Sequence, residues 1–189
     1  PAYAELFTTL GHLEAKRTTT NPDVAAVLAH LLDEAGVGPG DTVAVGASGS
    51  FPALLVAALA ATEALGARPA AILSLGASSH GATRPDFDLL RLHDLLLERE
   101  VVDAPPAAVS LGGHRDRGED FAPDVRDRLL ERLSRSGYPV IHESELRASV
   151  ARRMQVYTGH GGAPAAFVNI GGADANVGLD PSVLGVPPG

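Results

Sequence analysis

Cysteine and tryptophan are absent from this chain of 189 residues, and it contains a single lysine, Lys16. Without cysteine the chain forms no disulfides, binds no metal through thiolates and has no cysteine nucleophile. Positive charge is scarce, because 15 Lys and Arg stand against 23 Asp and Glu, for a net charge of −8. This balance argues against nucleic acid as a partner, since a phosphate backbone is held by clustered positive charge. The longest apolar run, from Pro52 to Leu65, contains Glu63 and is too short to cross a bilayer.

Five short apolar segments alternate with helical patterns along the chain, which is typical of an α/β fold. The predicted strands cover residues 42–45, 70–75, 107–111, 139–141 and 165–170, and the predicted helices cover 22–35, 51–65, 87–100, 123–136 and 143–157. Because the strands are apolar almost throughout, both of their faces should be buried. We therefore predict one domain over 1–189, a three-layer α/β sandwich with a mainly parallel, Rossmann-like sheet of about five strands. Residues 1–20 and the tail 179–189 are predicted to be irregular.

Glycine-rich loops follow four of the predicted strands. In open parallel sheets, ligands bind at the carboxyl ends of the strands, so these loops should meet at one binding edge. The first loop, Gly46–Ser50, also leads into a helix that opens at Pro52, whose first amide groups could bind an anion. From the loops we predict ligand-binding residues at Gly46, Gly49, Ser78, Ser79, Gly112, Gly113, Gly171, Gly172, Asp174 and Asn176.

Ser48 and Ser50 are candidate nucleophiles, because they lie between a predicted strand and a predicted helix. The hydrolase pattern G-x-S-x-G is incomplete here, since Ser50 occupies its last position. A serine nucleophile needs a base within hydrogen-bond reach, and Lys16, His80 or His114 could supply it. Lys16 stands out because an amine can lose its proton where a guanidinium cannot. In the alternative interpretation, Ser50 caps the helix and Ser48 binds a ligand.

Other polar residues at the same edge leave further chemistry open. Two histidines and two aspartates on neighbouring loops could hold a divalent metal: His80, His114, Asp86 and Asp116. No metal-binding spacing links them, so we predict neither a metal nor another cofactor. Three arginines would place positive charge over the edge and favour a carboxylate or phosphate ligand: Arg84, Arg115 and Arg117. Nearby acidic residues partly cancel that charge.

Five segments of the chain carry a family resemblance: Leu13–Pro22, Val43–Leu54, Gly76–Ser79, Ser110–Gly113 and Phe167–Gly172. They resemble the poly-γ-glutamate system protein family, and the resemblance covers nearly the whole chain. It implies a bacterial protein of capsule biosynthesis, since members occur beside genes for poly-γ-glutamate synthesis and export. It also implies a membrane-associated or extracytoplasmic location, because members usually carry an N-terminal hydrophobic anchor and are longer than this chain.

The resemblance implies positions rather than catalytic roles. Its strongest motifs contain Lys16, Arg17, Thr18, Asn21, Ser48, Gly49 and Ser50. It weakens the histidines as bases, because His80 stands where relatives are expected to have an aromatic residue and His114 falls in a variable loop.

Three hypotheses about function follow from these observations. The leading one is an accessory protein of poly-γ-glutamate synthesis or export that binds a γ-glutamyl chain or another carboxylate at the strand edge, with Arg17, Thr18 and Asn21 among its ligand-binding residues. The second is a serine hydrolase or transferase acting on a γ-glutamyl amide, with Ser48 or Ser50 as nucleophile and Lys16 as base. The third is a scaffold that docks onto membrane subunits of the synthase. Assembly into a homo-oligomer is left open.

Overall fold

The computed structural model describes residues 6–159, 161–180, 182 and 185. Within these residues the strands are β1 (Phe7–Thr9), β2 (Thr42–Ser48), β3 (Arg68–Ser74), β4 (Ala77–Ser78), β5 (Ala108–Ser110), β6 (Val140–Ile141) and β7 (Ala166–Ile170). The helices are α1 (Leu13–Thr18), α2 (Asp23–Glu34), α3 (Pro52–Ala64), α4 (Leu89–Glu98), α5 (Pro123–Ser134), α6 (Leu146–Thr158) and α7 (Asp174–Val177).

Five parallel strands form the central sheet in the order β6-β5-β3-β2-β7. The chain moves outward from β2 through β3 and β5 to β6, and then crosses the whole sheet to reach β7 on the other side of β2. Right-handed crossovers place the connecting helices of the outward steps on one face and the helix of the return step on the opposite face. This explains the three layers, and the predicted Rossmann-like α/β sandwich is confirmed.

The two faces of the sheet have different cores. On the first face, α2 to α5 bury the larger cluster, to which Leu55, Leu89 and Leu129 contribute. On the second face, Tyr157 of α6 belongs to a smaller cluster in which the strands contribute mostly alanine, including Ala44.

Strand β2 is longer than the sequence predicts, because it continues past Val45 to Ser48. The whole of β2 pairs with β3, and residues 43–47 also pair with β7. Two-sided pairing outweighs the weak strand preference of Gly46. Gly46 and Ser48 therefore lie in the sheet and not in the loop where they were predicted.

Residues 6–20 are more ordered than predicted for the irregular segment 1–20. Strand β1 pairs in parallel with β4, and the segment is tied by hydrogen bonds from the amide of Ala77 to the carbonyl of Leu6 and from the amide of Ser79 to the carbonyl of Thr9. The segment is held by a loop and not by a sheet face, so its sequence shows no clean periodicity. Most of the predicted tail, 179–189, lies outside the described residues. Among the residues that are described, no helix is both long enough and apolar enough to cross a membrane.

Candidate functional site

A cavity of about 240 Å³ opens at the carboxyl edge of the sheet. The direction of the chain across the sheet reverses between β2 and β7, and in open α/β sheets ligands bind outside such a switch point. The cavity is lined from β2, from the loops after β3, β5 and β7, and from the N-terminal segment: Thr8, Thr9, Ser48, Ser50, Gly76, Gly113, His114, Asp120, Gly172, Ala173 and Asp174.

Two serines of the cavity wall are almost completely buried, Ser48 at 4% exposure and Ser50 at 7%. The hydroxyl of Ser48 accepts a long hydrogen bond from the amide of Ser50 (3.4 Å), and the hydroxyl of Ser50 accepts one from the amide of Ser78 (3.1 Å). Neither hydroxyl donates to an acceptor within the described residues. Each serine therefore has an O–H that can serve a ligand.

The cavity is also lined by residues with unused backbone donors. The amides of Gly113, Gly172 and Ala173 have no acceptor in the described part of the chain. Gly113 has φ 68° and ψ −160°, a conformation essentially restricted to glycine. Such amides can bind a carbonyl or carboxylate oxygen of a ligand.

The first amides of α3, by contrast, contribute less than predicted. Pro52 has no N–H, and the amides of Leu54 and Leu55 donate to the carbonyl of Phe51. The lining of the cavity also stops at Ser50 and does not reach α3. The unused backbone donors that line the cavity belong to the loops after β5 and β7.

His114 and two carboxylates, those of Asp120 and Asp174, form a polar wall of the cavity. His114 Nδ1 lies 3.2 Å from a carboxylate oxygen of Asp174, and the same oxygen accepts a hydrogen bond from the amide of Arg115 at 2.7 Å. Asp120 accepts a short hydrogen bond from the amide of His114. This wall combines an oriented imidazole with two hydrogen-bond acceptors.

Lys16 lies buried behind the cavity, at 6% exposure. Its ammonium donates to the carbonyl of Ser50 and to the hydroxyl of Ser78, 2.8 Å away, and lies 4.3 Å from the ring centroid of Phe51. Burial lowers the pKa of Lys16 from its ordinary value. The serine hydroxyl that Lys16 contacts is that of Ser78, whereas the predicted base role required Ser48 or Ser50.

Three predicted ligand-binding residues do not line the cavity and make local contacts on α1 and α2. Arg17 pairs with Glu14 at 2.9 Å, and the Thr18 hydroxyl donates to the carbonyl of Glu14. The side chain of Asn21 accepts from the amide of Asp23 and so caps the start of α2. All three residues are exposed.

The remaining predicted residues divide into two groups. Lining the cavity are Gly113, Gly172 and Asp174, together with the two serines. Not among its lining residues are Gly46, Gly49, Ser78, Ser79, Gly112, Gly171 and Asn176. Several of these act by being small: a Cβ on Gly46 would lie 2.6 Å from the Asn176 amide, and one on Gly171 would lie 2.1 Å from the Ser48 hydroxyl.

A buried ion pair at the ends of β3 and β5 was not predicted. Arg153 and Asp116 are each 2% exposed, with Arg153 Nη2 2.7 Å from Asp116 Oδ1. The guanidinium also donates to the hydroxyls of Ser74 and Ser110, the last residues of β3 and β5, at 3.0 and 2.8 Å. The only signal of this ion pair in the sequence is that both strands end in a serine that is followed by Leu-Gly.

The two alternatives that the sequence leaves open, a metal site and a basic edge, do not form among the described residues. Asp116 is held by Arg153, and Asp86 by Arg84 at 2.6 Å. Among the residues that can be described, no three His, Asp or Glu side chains come together in a group that could hold a metal. Arg117 donates to the carbonyl of Ser144, and no lysine or arginine is among the described residues that line the cavity.

The fold and the cavity together define a Rossmann-like α/β domain with a polar pocket at its switch point. No family model, curated protein or solved structure matches this chain.

Proposed function

We propose that this domain binds a γ-glutamyl unit, or another small ligand with a carboxylate or amide carbonyl, as an accessory protein of poly-γ-glutamate synthesis or export. The observation that carries the proposal is the set of unused donors lining the cavity. They are the hydroxyls of Ser48 and Ser50 and the amides of Gly113, Gly172 and Ala173.

The charges around the cavity limit the kinds of ligand that it can bind. A bare polyanion would face the carboxylates of Asp120 and Asp174 with no arginine or lysine among the described lining residues to offset them. An amide-linked unit avoids this conflict, because its carbonyl accepts from the hydroxyls and amides while its N–H donates to a carboxylate. The pocket therefore suits the amide linkage of a γ-glutamyl chain better than a run of its free carboxylates.

Calorimetric titration with short γ-glutamyl oligomers tests the proposal, with α-glutamyl oligomers of equal length as the control for linkage. We expect heat with the γ-linked ligand and shifts of the Gly113 and Gly172 amide resonances in NMR spectra. Ser48→Ala and Ser50→Ala should each weaken binding about three- to tenfold, the net worth of one hydrogen bond.

Ser134 provides a matched control, because it is an exposed serine on α5 whose hydroxyl bonds only to its own helix. Ser134→Ala should bind as the wild type does. Absence of heat and of amide shifts with every oligomer would refute the binding proposal. Equal weakening in all three serine variants would show that the cavity is not the site.

A further inference from the structure

The cavity brings together three side-chain types that are used in acyl transfer. Ser48 lines it at the end of strand β2, and His114 and Asp174 line it from the loops after β5 and β7. The Asp174 carboxylate contacts His114 at Nδ1, which leaves Nε2 as the nitrogen available to a substrate or a serine. A carboxylate on Nδ1 that orients a base is the arrangement of serine hydrolases, which is recognised by geometry and not by sequence order.

Ser48 is the better nucleophile of the two serines. The hydroxyl of Ser50 is held by the amide of Ser78 at 3.1 Å, whereas that of Ser48 accepts only the 3.4 Å contact. Ser48 also lies on the side of β7, since a Cβ on Gly171 would fall 2.1 Å from its hydroxyl oxygen. Gly171 belongs to the loop that leads to Asp174.

An acyl-transfer site also needs donors that stabilise the oxyanion, and unused backbone amides of the cavity can supply them. In the familiar strand–serine–helix turn, the amide after the nucleophile stabilises the oxyanion. Here the amide of Gly49 already donates to the carbonyls of Ser74 and Gly76. The amides of Gly113, Gly172 and Ala173 are unpaired within the described chain and can take its place.

We propose that this pocket is also an acyl-transfer site, with Ser48 as nucleophile, His114 as general base and Asp174 as the residue that positions His114. The substrate class, a γ-glutamyl amide, rests on the function proposed above. No hydrogen bond joins Ser48 to His114 in this structure, and the mechanism needs that contact to form when substrate binds, as is common for catalytic hydrogen bonds.

The reaction proceeds in two balanced steps. The Ser48 oxygen attacks the amide carbon and its proton passes to His114, after which the C–N bond breaks and the amine leaves with that proton. Water then attacks the resulting ester, gives one proton to His114 and releases the γ-carboxylic acid. The serine recovers its proton from His114, and one amide and one water have become one acid and one amine.

Two measurements on the full chain test this proposal. The first is labelling with a fluorophosphonate probe, with the modified residue located by mass spectrometry. The second is release of p-nitroaniline from γ-glutamyl-p-nitroanilide. We expect the label on Ser48 and a loss of turnover of at least about a thousandfold in Ser48→Ala. Ser134→Ala should retain both.

His114→Ala should lose about a hundred- to ten-thousandfold in turnover, and added imidazole should restore part of it, which a merely structural role of His114 would not allow. Asp174→Asn should lower kcat more than it changes KM, because it misorients the base. The matched control is His30→Ala, since His30 is an exposed histidine on α2. A label on any other residue, or full turnover in His114→Ala, would overturn the assignment.

The outcomes separate this proposal from the binding function. If γ-glutamyl oligomers bind but neither label nor turnover appears, acyl transfer is refuted and binding stands. If the probe labels Ser48 while no γ-glutamyl oligomer binds, the serine chemistry stands and the ligand is wrong. Circular dichroism of each variant excludes unfolding as the cause of a loss.

Discussion

Replacement of Arg153 by methionine is the sharpest test of the buried ion pair, because it removes the cation and retains most of the side-chain volume. Arg153 and Asp116 are each 2% exposed, so water cannot replace the lost partner. Asp116 would keep only hydroxyl donors, Ser110 at 2.8 Å and Ser149. Breaking such a pair typically costs about 3–5 kcal/mol, because one charge stays buried without compensation.

That loss is a large fraction of the roughly 5–15 kcal/mol that stabilises a typical domain. Urea unfolding followed by circular dichroism measures it, and the midpoint should fall with the slope unchanged. The control is Arg135→Met, since Arg135 forms an exposed i,i+4 pair with Glu131 on α5 and such pairs contribute about 0–1 kcal/mol. Adding Asp116→Asn to Arg153→Met should restore part of the stability. A loss in Arg153→Met no larger than that in Arg135→Met would refute the reasoning.

Three further predictions concern other residues. Lys16, as the only lysine, should give a single side-chain NMR signal that titrates below 10.5, because burial lowers its pKa; titration at or above 10.5 would contradict its buried position. Burial also lowers the pKa of His93, so the unfolded chain binds a proton that the folded chain does not. The free energy of unfolding should therefore fall as the pH drops below about 6.5, and His93→Leu should reduce this fall; an unchanged slope would count against it. Gly113→Ala should destabilise more than Gly137→Ala in urea unfolding. Both glycines have positive φ, but only at Gly113 would the Cβ collide, 2.5 Å from Asp120; equal losses would exclude the collision.

The layers of the fold could be predicted from the sequence because the pattern of apolar residues in a strand indicates which of its faces are buried. Runs of apolar residues in β2 and β3 indicate strands covered on both faces, and both strands are buried in this way. The apolar run of β7 gives the same prediction, but this edge strand exposes Phe167 and Asn169. Helical patterns between the strands indicate helices. The order of the strands could not be predicted, because burial does not reveal which strand is the neighbour. The switch point between β2 and β7, which locates the cavity, is a property of that order.

The residues of the site could be predicted in part, because the positions of the strands indicate which residues lie at their carboxyl ends. Ser48, Ser50, Gly113, Gly172 and Asp174 follow or end strands, and that position alone places them at the carboxyl edge. Side-chain direction is not visible in such a pattern. Positions that do not line the cavity were therefore predicted together with positions in its wall.

Arg153 escaped prediction because a charged residue within a helix is normally solvent-exposed. It is buried here on the second face of the sheet, where Ala44, Ala70 and Ala108 contribute small side chains and Asp116 supplies the opposite charge. Ser74 and Ser110 then provide oxygens where a continued apolar strand would leave the guanidinium unpaired. Residues from three separate segments of the chain surround the Arg153 guanidinium, and the sequence of no single segment indicates that it is buried.

The buried ion pair of Arg153 and Asp116 also helps to fix the backbone of the loop that contains His114. Five of the seven residues from 112 to 118 have φ between 55° and 68°, and two of these, Arg115 and Asp116, are not glycine. Each of these two non-glycine residues costs on the order of 1–3 kcal/mol in backbone strain and persists only where the surroundings enforce its conformation. The contacts of Asp116 with Arg153 hold the backbone at Asp116, and the contacts of Asp174 with the Arg115 amide and the His114 ring hold the two preceding residues. A loop held at three consecutive residues presents His114 in one orientation before a ligand arrives, so little ordering remains to be done on binding.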